Sequence, residues 1–319
     1  MRREADLNQR IFPGRRIDAI SAVLLPFDAA GNPDLEEFRR HLLRTRLAGL
    51  TPAVNMDTGF GPQLSPAQRG DVLRVTREAL GPASPFVAAA MPFGHAGDPL
   101  AAYRMEVRDI LGFGGTPIVF PSELFVGKEG AEVGLLHREI VAPAPRALAF
   151  ELGRQFAPFG RIYDPDTFRR LMEIPNLAGI KHSSLSRTLE FERLAIRDRE
   201  RPELRIYTGN DLAIDMVMYG SDYLLGLSTF DPGAFALRDR WWADGDRRFF
   251  ELNDALQAVG AVAFRDPVPA YKHSAAVYLK LTGRLSDPRP HPACPRRPER
   301  EAELLAPLAR RVSDACEGG

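Results

Sequence analysis

Short apolar runs, each followed by a helix-start signal, recur along most of this chain and constrain its fold more than any other feature. Residues 17–27 (IDAISAVLLPF) lead to Asn32-Pro33, residues 51–55 to Ser65-Pro66 with Gln68 in capping-box position, and residues 85–93 to Asp98-Pro99. A small polar cap satisfies free amides of the first helical turn, and a proline just behind it presets φ. The three starts fall at positions 32, 65 and 98, an even spacing of 33. Further along, residues 116–120 precede a helical stretch at 132–140, and 146–151 precede a start at Asp164-Pro165. Residues 177–181 precede 187–197, 204–208 precede 212–219, and 223–227 precede Asp231-Pro232.

Strands alternating with helices imply a parallel sheet, and eight such units ending near Asp244 fit an α/β chain closed into a (β/α)8 TIM barrel. A doubly wound open sheet is the structural alternative, but no GxGxxG follows the first strand. Beyond Asp244 the pattern changes to three helices, at 247–260, 269–283 and 301–311, with a Pro- and Arg-rich loop from 287 to 298. The expected organisation is therefore an N-terminal arm (residues 1–16), a barrel (17–244) and a C-terminal helical extension (245–319).

Charge and composition narrow the partner class. Forty-two basic residues balance 42 acidic ones, which removes the electrostatic argument for nucleic acid or an anionic membrane and leaves a small-molecule substrate as the default. No apolar run approaches the roughly 18 residues of a spanning helix. The N-terminus mixes both charge signs without an apolar core, and the two cysteines, Cys294 and Cys316, sit close to the C-terminus; a cytoplasmic location is expected. Only four of the basic residues are lysines (Lys128, Lys181, Lys272 and Lys280). Arginine serves for generic surface charge but stays protonated and forms no imine, so a lysine retained here points to chemistry.

Barrel active sites form at the C-terminal ends of the strands. Those positions carry Asp57-Thr58-Gly59 after strand 2, Ser122-Glu123 after strand 4, Phe150-Glu151 at strand 5 and Lys181-His182-Ser183 at strand 6. Gly209-Asn210-Asp211 follows strand 7, and Gly226 with Ser228-Thr229 closes strand 8. Lys181 ends the apolar run LAGI, so its stem emerges from a packed wall, where desolvation favours the neutral, nucleophilic amine. Such an amine condenses with a 2-oxo acid or ketose. An ion pair with Glu151 or Asp211 is the alternative for the same residue.

The sequence resembles the dihydrodipicolinate synthase and N-acetylneuraminate lyase superfamily of class I aldolases. The resemblance rests on AVLLPF near the start, DTGFGPQLSP at 57–66, PNLAGIKHSS at 175–184, TGND at 208–211 and PVPAYKHSAA at 267–276. It implies an imine at Lys181, a substrate carboxylate held around Thr58 and Gly59, no cofactor beyond the lysine, and a homo-oligomer, tetramer or dimer. It also exposes departures. The family's usual GTTGE reads Met56-Asp57-Thr58-Gly59-Phe60, the relay tyrosine of strand 5 aligns with Phe150, and the tyrosine after strand 4 falls near Ser122-Glu123. Phenylalanine carries no proton, so dihydrodipicolinate synthesis and standard sialic acid cleavage are disfavoured.

Asp57, Glu123 and Glu151 are carboxyls at rim positions that can replace the relay as acid or base. Arg154 is a candidate clamp for a distal carboxylate or hydroxyl. Asn210 and Asp211 are candidates to bind hydroxyls or to orient their loop, and Ser183 and Ser184 to do the same or to cap the following helix. Lys272, in the tail, reads as structural. The leading expectation is a lyase acting on a 2-oxo acid, a sugar-derived 2-keto-3-deoxy acid, by retro-aldol cleavage or dehydration. The alternatives are a metal-dependent barrel enzyme using Glu123, Glu151, His182 and Asp211, and a non-catalytic relative that binds a keto or sugar acid.

Overall fold

The computed structural model describes residues 11–318. Eight parallel strands close a barrel in sequential order: β1 (Ala19–Ala22), β2 (Thr51–Val54), β3 (Val87–Ala90), β4 (Thr116–Val119), β5 (Ala147–Leu152), β6 (Leu177–Ser183), β7 (Arg205–Thr208) and β8 (Asp222–Leu225). The helices that follow β1 to β6 are α1 (Leu35–Leu47), α2 (Pro66–Leu80), α3 (Pro99–Gly112), α4 (Gly130–Val141), α5 (Pro165–Met172) and α6 (Arg187–Glu200). A 3-10 turn at Ile214–Tyr219 replaces the helix expected after β7, and α7 (Pro232–Asp244) follows β8. The barrel is thus the (β/α)8 TIM fold read from the sequence, with one helix shortened. Residues 1–10 of the expected N-terminal arm lie outside the described residues. At its far end, Arg15 is tied to Asp222 beneath the barrel.

Most start signals act as read. Ser65 accepts from Gln68 N while the Gln68 side chain accepts from Ser65 N, and Asp98, Asp164 and Asp231 cap α3, α5 and α7. The first start is corrected: Asp34, not Asn32, caps α1 by accepting from Glu37 N. Pro33 instead pairs with Phe27 in an isolated bridge, so the even spacing of 33 is a property of the sequence rather than of the caps.

Two apolar clusters follow from strand alternation. Ile20, Val87, Ile118, Leu148, Phe150, Leu152, Tyr207 and Leu224 fill the lumen, while Val54, Ala149, Ile180 and Ile206 face the helix layer. β6 runs two residues past Lys181 because its pairing with β5 continues: Phe150 stands opposite Lys181, Glu151 opposite His182 and Leu152 opposite Ser183. Behind the barrel come α8 (Arg248–Ala263), α9 (Tyr271–Leu281) and α10 (Glu301–Glu317). A 3-10 turn at Val268–Ala270 delivers the first residues of α9 to the top of the barrel, and Ala293, Cys294 and Pro295 from the following loop line the same mouth.

Candidate active site

Period-two alternation decides which strand-end residues face the lumen. On β5 and β6, Phe150 and Lys181 point inward, and Glu151 and His182 point outward. Lys181 is only 7% exposed, and its Nζ lies 4.4 Å from the Phe150 ring centroid. Among the described residues nothing pairs with it at ion-pair distance. Burial lowers its pKa from 10.5 to about 8, with Asp211 and Asp57 pulling the other way. Asp211 accepts from Leu227 N at 2.6 Å, and burial lifts its carboxyl to about 7 although Leu227 N, Lys181 and Gly226 N oppose the shift. Gly209 is required beside them. A Cβ there would stand 2.6 Å from Lys181 Cε and 1.9 Å from Ser183 Oγ.

The loop after β2 supplies a second polar group. Asp57 Oδ1 accepts from Lys272 Nζ at 2.9 Å, and its Oδ2 accepts from the Tyr271 hydroxyl at 3.0 Å. Tyr271 also lies 2.8 Å from Thr58 Oγ1, and its ring stacks on Phe264 with centroids 4.3 Å apart. A Cβ on Gly226 would meet both the Tyr271 ring and Thr58 Oγ1 within 3.2 Å, so that glycine makes room for the pair. Phe60, at φ 58°, turns the loop back on itself. Above these groups is a cavity of about 210 Å³ whose wall includes Asp57, Phe60, Phe120, Phe159 and Lys272. Lys181 is one aromatic layer deeper: it abuts Phe150, whose ring centroid is 5.5 Å from that of Phe120 in the cavity wall.

No protein-family model matches the chain. The 4-hydroxy-tetrahydrodipicolinate synthase of Synechococcus sp. (strain WH7803) is 30% identical over 206 residues, covering 63% of this chain and 65% of that protein. That of Synechocystis sp. (strain ATCC 27184 / PCC 6803 / Kazusa) is 28% identical over 199 residues, covering 60% and 62%. The match therefore spans under two thirds of these relatives' own length. Among solved structures, a prophage protein of the dihydrodipicolinic acid synthase family from E. coli K12, in complex with pyruvate, superposes with a TM-score of 0.82 at 15% identity, covering 93% of this chain and 98% of that one. Ruminococcus gnavus sialic acid aldolase gives 0.78 at 17% identity, covering 95% and 98%. The chain is thus similar in sequence to these synthases and shares the barrel fold of the solved structures.

At β5 the lumen holds Phe150 against Lys181. The remaining strand-end residues divide sharply. Glu151 is fully buried on the outer face, where it accepts from His182 Nδ1 at 2.8 Å, Arg193 Nη2 at 2.9 Å and Tyr163 N at 2.9 Å. Burial pushes its carboxyl up, but His182 and Arg193 outweigh that and hold it at about 2. This corrects the expectation of a rim carboxyl: Glu151 is a sealed charge partner of Arg193 in the helix layer. Glu123 is exposed on a 3-10 turn capped by Ser122, and Arg154 is exposed on a neighbouring depression beside Arg161, so neither lines the cavity.

Asn210 is fully buried with both ends of its amide engaged, its oxygen accepting from Leu185 N and its nitrogen donating to Glu190. These bonds tie the β7 loop to Leu185 and to Glu190 of α6. Ser183 faces the lumen beside Gly209, Ser184 accepts from Ser186 N, and the cap of α6 is Ser186. Thr58 is buried with its hydroxyl on Tyr271, and Gly59 N is bonded to Met56 O.

The four residues of the metal alternative are not gathered. Glu151 and His182 face outward, Asp211 faces the lumen and Glu123 is exposed; among the described residues no group of three or more His, Cys, Asp or Glu is placed to hold a metal ion. No described helix is long and apolar enough to cross a membrane. Tyr271, which meets Asp57 and Thr58, was not among the expected site residues, and Lys272, read as structural, pairs with Asp57 at the cavity wall. Lysine scarcity was the available signal, since Lys181 and Lys272 are two of only four in the chain.

Proposed function

We propose that this protein is a class I, imine-forming lyase acting on a 2-oxo acid, with Lys181 as the nucleophile. The observation that carries the reading is a buried lumen lysine, unpaired among the described residues, whose pKa falls to about 8. The neutral amine attacks the 2-oxo carbon and water leaves, giving an iminium that withdraws electrons from C3. Cleavage of the C3–C4 bond, with loss of the C4 hydroxyl proton, releases an aldehyde and leaves an enamine; removal of a C3 proton with departure of the C4 hydroxyl dehydrates the same intermediate. Asp211, poised near neutrality, is suited to act as base on a C4 hydroxyl. The Thr58 hydroxyl is assigned to the carboxylate. A homo-oligomer, tetramer or dimer, belongs to the same proposal and is checked by light scattering.

A 2-keto-3-deoxy sugar acid is the substrate class implied by the family. The mouth favours a second one, because Phe60, Phe120, Phe156, Phe159 and the prolines 62, 158, 269 and 295 outnumber Asp57, Gln63 and Lys272 around it. An apolar or aromatic group on C4 would bury those surfaces, whereas a polyol would leave hydroxyls without partners. The test is proton NMR of the enzyme with 2-keto-3-deoxy sugar acids and with 4-aryl-4-hydroxy-2-oxo acids. Formation of pyruvate plus aldehyde, or of a dehydrated oxo acid, lost in Lys181→Arg, supports the reading; turnover retained in Lys181→Arg overturns it.

A further inference from the structure

We propose that Tyr271, contributed by the first turn of α9, is the proton-transfer residue of this site, working with Asp57 in place of the hydroxyl missing at Phe150. The inference rests on the imine-forming reading above. An enamine can form and be quenched only if a proton reaches and leaves the substrate, and Phe150, the residue in register with Lys181, offers no exchangeable proton. Tyr271 brings one from elsewhere in the fold. Its hydroxyl is 3.0 Å from Asp57 Oδ2 and 2.8 Å from Thr58 Oγ1, the group assigned to the substrate carboxylate.

Several contacts fix that hydroxyl in place. The ring is clamped face to face by Phe264, with a 15° interplanar angle, and abuts Gly226. Gly226 N and Leu227 N hold the Asp211 carboxylate, which together with Asp57 acts electrostatically on both Lys181 and Tyr271. Lys272 Nζ binds the other Asp57 oxygen and is itself 3% exposed, so the carboxylate is held with Oδ2 toward the phenol. Burial, with Asp57 beside it, pushes the phenol pKa well above its ordinary value, so Tyr271 enters the step protonated.

The transfer balances. As the Tyr271 oxygen takes a proton from C3 of the iminium, its own proton passes to Asp57 Oδ2. The iminium becomes a neutral enamine, the Asp57 carboxylate becomes a neutral carboxyl, and Tyr271 is unchanged. The reverse step protonates the enamine. Lys272 keeps its charge throughout.

The test uses pyruvate as probe on the full chain, with two readouts: borohydride trapping on Lys181, and exchange of the C3 protons for deuterium in heavy water followed by NMR. Tyr271→Phe keeps the ring and its stacking on Phe264 and removes only the hydroxyl. The expected result is that trapping persists while exchange falls on the order of 10²-fold or more. Asp57→Asn should lower exchange similarly, and Phe150→Tyr in the Tyr271→Phe background should restore part of it, which a merely structural role for Tyr271 would not produce. Exchange at the wild-type rate in a folded Tyr271→Phe, or trapping without exchange in the wild type, overturns the proposal. Absence of trapping in the wild type instead defeats the underlying imine reading, and the relay with it.

Discussion

Lys181 Nζ faces the Phe150 ring at 4.4 Å, and the two residues are partners in the β5–β6 register. An aromatic face favours an ammonium by cation–π attraction, yet burial dominates and the amine falls to about 8. Since the free amine attacks, trapping of pyruvate should rise with pH and level off just above 8. Borohydride trapping rates across neutral and alkaline pH check this. A rise that continues to the ordinary lysine value of 10.5 contradicts it.

Gly209 bounds the same amine from β7. Gly209→Ala inserts a methyl 2.6 Å from Lys181 Cε and 1.9 Å from Ser183 Oγ. Overpacking of this kind costs about 1–3 kcal/mol, and the displaced lysine should trap pyruvate at least tenfold more slowly, a threshold corresponding to roughly 1.4 kcal/mol. Urea unfolding together with trapping rates measures both effects. A variant with wild-type trapping shows that Lys181 is not seated as described.

Glu151 makes its contribution to stability rather than chemistry. Glu151→Gln strands the Arg193 guanidinium, itself 1% exposed, and breaking such a buried pair costs about 3–5 kcal/mol. The folded carboxyl sits at about 2, below its ordinary 4.5. Its stabilisation is therefore present above 4.5 and lost as pH falls through that value toward 2. Urea midpoints for wild type and Glu151→Gln should differ widely at neutral pH and converge in acid, while the folded variant still traps pyruvate. Loss of trapping in folded Glu151→Gln would return this carboxyl to the active site.

The barrel was legible because its signals are local. Apolar runs, caps such as Ser65 and Asp164, and the lysine closing LAGI are each contained within a few residues. Alternation also carried a signal that the roster of strand ends did not use: neighbours on one strand face opposite ways, so Phe150 and Lys181 could not share the lumen with Glu151 and His182. The helix expected after β7 shrank to a 3-10 turn ending at Gly220, whose φ of 102° suits glycine. The Asp57–Tyr271 contact was beyond any local reading. It joins residues 214 positions apart and depends on how α9 folds back over the barrel mouth.

The most direct test of the central claim is the identity of the trapped residue. Wild type and Lys181→Arg would be treated with borohydride and either pyruvate, a 2-keto-3-deoxy sugar acid or a 4-aryl-4-hydroxy-2-oxo acid, then analysed by intact mass and peptide mapping. The account predicts a single ligand-sized adduct on Lys181 of the wild type and none on Lys181→Arg. An adduct on Lys272 or another amine, or no adduct with any of these acids, would contradict it.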